Sequence, residues 1–105
     1  MPYAEVTAVE VRARLEAGEA LVILDVREDE EVTEWAFPGA LHIPLGQLGA
    51  RSAEIPVDRP VVVVCHVGVR SAVAAEALAD AGWTAASMAG GAVAWAAAGP
   101  EWGSF

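Results

Sequence analysis

Four consecutive β-branched residues, Val61-Val62-Val63-Val64, follow Pro60 and end at the only cysteine of the chain, Cys65. A block without polar alternation is apolar on both of its faces. It suits a strand buried from both sides, which is the situation inside a parallel sheet with helices above and below. From Ser71 an apolar stripe of Val73, Ala74, Ala77, Leu78 and Ala81 predicts a helix, with Ser71 as its cap and Gly82 as its stop. Strand, short loop and helix in that order predict a ligand site, because open α/β sheets bind ligands at the carboxyl ends of their strands.

The same stretch carries chemistry. The thiolate is the reactive form of cysteine, and a helix amino terminus and a neighbouring arginine both favour it. Gly68 permits positive φ, so successive N–H groups can turn inward as an anion-binding nest. A lone cysteine after a valine run is more often a small core hydrophobe. Gly68, Arg70 and Ser71 at this spacing shift the balance toward a reactive thiol.

The remaining elements alternate. Tyr3 to Val6 predicts a first strand, and Thr7 with Glu10 has capping-box spacing for a helix turning Val9, Leu15 and Val11 inward until Gly18. Leu21 to Val26 predicts a second buried strand. A short helix from Glu28 to about Trp35 opens with Glu28, Asp29, Glu30 and Glu31, which complement its dipole as a solvated acidic turn. Leu41 to Ile43 predicts a third strand broken by Pro44, Leu45 to Ala50 a weak helix or turn, and Ile55 to Pro60 a loop. Trp83 to Met88 predicts the last strand, Gly90-Gly91 a turn, and Ala92 to Ala98 a closing helix before Gly99-Pro100. The tail from Glu101 to Phe105, with Trp102, is expected to pack on the body or fray. The expected fold is α/β, a central parallel sheet of about five strands with helices on both faces and right-handed crossovers.

Four ordered signatures carry a resemblance. Cys65-His66-Val67-Gly68-Val69-Arg70-Ser71 resembles the active-site loop of the rhodanese-like sulfurtransferases, a cysteine, four residues, an arginine and a serine. Leu24-Asp25-Val26-Arg27-Glu28 looks like that family's first signature. Pro38-Gly39-Ala40 with Ile43-Pro44-Leu45 looks like its second, and Gly90-Gly91 with Trp95 its last. The resemblance implies one rhodanese-like domain over residues 1–105. It implies Cys65 as the catalytic nucleophile, His66, Val67, Gly68, Val69, Arg70 and Ser71 as the substrate-binding anion loop, and Asp25 and Arg27 as supporting residues. Two departures stand out. Trp35-Ala36-Phe37 replaces the frequent Gly-His-Ile, and the loop has only His66 as a further basic residue beyond Arg70.

The implied reaction moves a sulfane sulfur from a donor such as thiosulfate to cyanide or a thiol through a cysteine persulfide, with no cofactor. Alternatives are a non-catalytic rhodanese-like binding module and a cysteine-dependent phosphatase. The related dual-specificity phosphatases have one more residue between cysteine and arginine, so four intervening residues favour sulfur. Asp25 either caps the following helix or ties the loop region together, and Glu28, Glu31 or Glu34 could pair with Arg27. His42 is expected to be structural or superficial.

Charge bears on the partner classes. Six arginines and no lysine against fifteen carboxylates leave −9, a poor match for nucleic acid or anionic lipid. The acidic surface either favours a basic protein partner or serves solubility alone. The resemblance, rather than charge, implies a small sulfur anion or persulfide donor and a thiol acceptor as partners. One cysteine cannot close an internal disulfide, two histidines show no ligand spacing for a metal, and no apolar run spans a bilayer or resembles a leader. Cytoplasm is the expected location.

Overall fold

The computed structural model describes residues 3–99. Five strands form one parallel sheet in the order β1-β5-β4-β2-β3. They are β1 (Ala4–Val6), β2 (Val22–Asp25), β3 (Leu41–His42), β4 (Val61–Val64) and β5 (Ala85–Met88). Five helices alternate with them: α1 (Ala8–Glu16), α2 (Asp29–Glu34), α3 (Leu48–Arg51), α4 (Val69–Asp80) and α5 (Gly91–Ala98). The weak segment after Pro44 is a succession of 3-10 turns at Leu45–Gln47 and Ser52–Glu54 around the single turn of α3.

β4 is central and buried on both faces, as its unbroken valines require. Val61 and Val63 join a core with Leu24, Val26, Ile43, Ile55, Ala74 and Leu78. Val62 and Val64 join a second core with Val11, Ile23, Phe37, Met88, Ala92 and Trp95. Burying one such side chain stabilises the fold by roughly 1.5–3 kcal/mol relative to leaving it exposed. α3 and α4 cover the first face, α1 and α5 the second. β4 pairs β2 from Val22↔Val61 to Asp25↔Val64, which brings Asp25 and the start of the Cys65 loop to the same end of the sheet.

The helix starts show which local signals suffice. Thr7 accepts from the Glu10 N–H at 3.1 Å and Glu10 returns the bond to the Thr7 N–H at 3.2 Å, completing the expected capping box. Ser71, by contrast, does not cap α4. The helix begins at Val69, and Gly68 is its cap residue at φ +105°. Arg70 and Ser71 therefore belong to its first turn, and the loop is shorter than expected.

The inward faces also differ from the expected stripes. Val9 is 66% exposed and Val73 56% exposed, while Ala77 and Ala81 face solvent. In α1 the buried positions are Ala8, Val11 and Arg12, with Leu15 partly buried. In α4 they are Ser71, Ala74, Ala75 and Leu78, one residue round from the predicted stripe. In an alanine-rich helix neither face dominates by hydrophobicity, so the sheet's geometry chooses. Trp83 precedes β5, and its indole N–H donates to the Ile55 carbonyl at 3.3 Å. The expectations for Trp102 and Phe105 lie outside the described residues.

Candidate active site

The Cys65 loop leaves β4 at the carboxyl end of the sheet and is clasped from below. The Ala92 N–H, in the first turn of α5, donates to the Cys65 carbonyl at 2.8 Å, and the Val93 N–H donates to the His66 carbonyl at 3.2 Å. Gly91, at φ +54°, lies so close beneath that any Cβ there would collide with the carbonyl oxygens of Cys65 and His66. The Gly90-Gly91 pair is thus more than a turn. It lets the end of α5 approach the loop backbone and satisfy it.

Sγ of Cys65 sits inside the resulting bend, and the residue is only 1% exposed. It accepts the Gly68 N–H at 3.0 Å and the Ser71 N–H at 3.4 Å. The Ser71 hydroxyl is also 3.4 Å away, and Ser71 in turn meets the Ser87 hydroxyl of β5 at 2.8 Å. Burial pushes the thiol up. The Ser71 hydroxyl and the N–H groups of Ser71, Gly68 and Val67 outweigh it, so the thiol ionises below its ordinary value. Once ionised, such a group is held by oriented dipoles and can attack an electrophilic sulfur and keep a persulfide or an anion in the same bend.

Arg70 has a partner that the sequence reading did not assign to it. Its two terminal nitrogens lie 2.5 and 2.9 Å from the two carboxylate oxygens of Glu31 in α2, whose Oε1 also accepts the Glu28 N–H at 2.9 Å. The Arg70 fork and the Glu28 N–H hold the Glu31 carboxyl at about 2, against a desolvation cost that acts the other way. Glu31, expected in a solvated acidic turn, is the ion-pair partner of the loop arginine. The donors on Sγ are backbone amides, while the Ser71 hydroxyl accepts from the thiol and donates to the sulfur once it is ionised.

Asp25 and Arg27 form a unit of their own. The Arg27 guanidinium spans both Asp25 oxygens at 2.8–3.1 Å, and Asp25 also accepts the Arg27 N–H. The partner of Arg27 is therefore Asp25, not Glu28, Glu31 or Glu34, and Asp25 does not cap α2. Arg27 also donates to the Trp35 carbonyl at 2.8 Å and lies over the rings of Trp35 and Phe37. It tethers the carboxyl end of α2 to β2. His42 Nε2 lies 2.7 Å from the Arg27 carbonyl, a structural contact. A cleft of about 170 Å³ is lined by Arg27, Glu31, Glu34, Trp35 and His66. The side chains of Val67 and Val69 are exposed.

The Glu31–Arg70 pair and the role of Ser87 escaped the sequence reading for different reasons. Glu31 lies 39 residues from Arg70, beyond any local pattern. Ser87 did leave a trace, as the one polar residue in Ala85-Ala86-Ser87-Met88. Among the described residues no cluster of three His, Cys, Asp or Glu side chains could hold a metal, and no helix is long and apolar enough to cross a membrane.

Residues 7–98 match the family model described as the rhodanese-like domain. The chain belongs to the rhodanese-like domain family. YtwF of Bacillus subtilis is 34% identical over 95 residues, covering 90% of this chain and 92% of its own. A protein named sulfurtransferase from Allochromatium vinosum is 33% identical over 93 residues, covering 88% and 87%. The crystal structure of a rhodanese-related protein from Thermoplasma volcanium superimposes with a TM-score of 0.85 at 28% identity, covering 92% of this chain and 94% of that one. The rhodanese-like domain described above thus has relatives of its own size, and sulfurtransferase is the activity that the Allochromatium vinosum relative's name carries.

Proposed function

We propose that the protein is a sulfurtransferase in which Cys65 carries sulfur as a persulfide. The observation that carries this reading is the convergence of the Gly68 and Ser71 N–H groups and the Ser71 hydroxyl on Sγ at the carboxyl end of the central strand. A thiolate held there attacks the outer sulfur of thiosulfate, giving Cys65–S–S⁻ and releasing sulfite with the electron pair of the broken S–S bond. Cyanide or a thiol then takes the outer sulfur and regenerates the thiolate. The loop amides stabilise negative charge on either sulfur without moving between the two half-reactions.

In this reading Asp25 and Arg27 are supporting residues. Their buried pair ties the end of β2 to the turn at Trp35, which forms one wall of the cleft. Val67 contributes an N–H to the thiolate field, Gly68 the positive φ, and His66 a wall of the cleft.

The test is intact mass after thiosulfate treatment, followed by cyanide. One added sulfur atom, removed by cyanide and absent in Cys65→Ser, is expected. A Cys65→Ser variant that folds and still turns over at the wild-type rate would overturn the assignment. So would Cys65-dependent hydrolysis of an aryl phosphate without sulfur uptake.

A further inference from the structure

The cation expected to receive an anionic donor is already occupied. Arg70 presents both terminal nitrogens to Glu31, and the pair carries no net charge. Glu31 is itself held in place, since Oε1 also accepts the Glu28 N–H at the start of α2. Each member of the pair is 31% exposed, so solvent and small solutes reach it. The other cleft charges do not compensate. Arg27 is spent on Asp25, and Glu34 adds an exposed carboxylate on the same wall. A dianion entering this cleft therefore meets Glu31 already joined to Arg70 and the exposed Glu34 carboxylate, within a molecule of net charge −9. His66 is the basic lining residue on the same wall that no carboxylate among the described residues engages.

We propose that Glu31 sets the choice of sulfur donor: by engaging Arg70 it disfavours dianions such as thiosulfate and leaves Cys65 to persulfides of uncharged thiols. This rests on the sulfurtransferase reading. The reaction needs no further reactant. Cys65–S⁻ attacks the outer sulfur of R–S–SH, the S–S bond of the donor breaks, and Cys65–S–SH and R–S⁻ result. One S–S bond replaces another, with no net oxidation. The N–H groups of Gly68 and Ser71 serve this transfer directly, since neither involves Arg70. Thiosulfate, by contrast, must compete with a carboxylate for the guanidinium before its sulfonate end is neutralised.

The experiment compares wild type, Glu31→Gln and Glu31→Ala with two donors, thiosulfate and the persulfide of 2-mercaptoethanol. The ratio of kcat/KM for thiosulfate to that for the persulfide should rise about five- to tenfold in Glu31→Gln, mainly through a lower KM for thiosulfate, as the release of one charge-assisted contact implies. An unchanged or lower ratio overturns the proposal, because Glu31 then only positions Arg70. A second measurement does not depend on sulfur transfer. Inorganic sulfate should protect Cys65 from iodoacetamide at lower concentration in Glu31→Gln than in wild type. Equal or weaker protection in the variant counts against Glu31. If no variant takes up sulfur from either donor, the sulfurtransferase reading fails, and sulfate protection alone decides the role of Glu31.

Discussion

Cys65 depends on a chain of hydroxyls that crosses from α4 to β5. The Ser71 hydroxyl has one proton to give, and at 2.8 Å the Ser87 hydroxyl can supply the complementary bond that leaves that proton facing Sγ. Ser87→Ala removes this support without touching the sulfur. Loss of one neutral hydrogen bond of about 1 kcal/mol corresponds to a rise of roughly half a pH unit or more in thiol ionisation. The midpoint of the iodoacetamide rate against pH should move up accordingly, and an unmoved midpoint would show that Ser71 orients itself. Glu31 makes a second prediction at this scale. Its carboxyl falls from the ordinary 4.5 to about 2 in the folded protein, so the pair stabilises the fold fully above pH 4.5 and less as pH drops through 2. The difference in unfolding free energy between wild type and Glu31→Gln should be constant from pH 5 to 8 and should shrink below pH 4. A gap that widens in acid would contradict the sign.

α5 and α4 act on the loop from opposite ends. α4 offers the N–H groups of its cap residue Gly68 and of first-turn Ser71 to Sγ, while α5 offers Ala92 and Val93 N–H groups to the carbonyls of Cys65 and His66. The second contact depends on Gly91, which combines φ +54° with a space that any Cβ would overfill with backbone. Left-handed backbone costs an alanine roughly 1–2 kcal/mol, and the collision with a backbone that cannot swing aside adds to it. Gly91→Ala should therefore lose about 3 kcal/mol or more in urea unfolding. Gly18→Ala is the comparison, because Gly18 has φ +85° but open space around it, and only the backbone cost applies. Equal losses in the two variants would mean that the clasp yields without strain.

Across the whole molecule, charge opposes the approach of a dianion. Salt raised from 0.01 M to 0.1 M shortens the Debye length from about 30 Å to about 10 Å, which screens the distant carboxylates first. The solvent-reachable Glu31–Arg70 pair weakens in the same direction. kcat/KM with thiosulfate should consequently rise or stay level over this range, and a steep fall would show that local attraction near Cys65 outweighs the −9 surface. A basic protein donor should show the opposite slope, since screening removes its steering.

What the sequence alone determined is what neighbouring residues can decide. Four successive valines have no polar face to turn outward, so β4 must be central, and Cys65 must emerge at its carboxyl end. Thr7 and Glu10 are three apart and cap α1 whatever else the chain does. The family resemblance was legible for the same reason, because its signatures are short runs. The tertiary structure decided everything that depends on partners from distant elements. The strand order β1-β5-β4-β2-β3 puts β5 beside β4 and so brings Ser87 to Ser71. α2 comes over the loop and gives Arg70 to Glu31, where charge counting alone had left both free to find others. Alanine-rich α4 could have buried Val73, but the sheet beneath it accepts Ala74, Ala75 and Leu78 instead. Ion pairs and helix faces are chosen by proximity, and proximity between residues 16 or 39 apart exists only once the sheet has assembled.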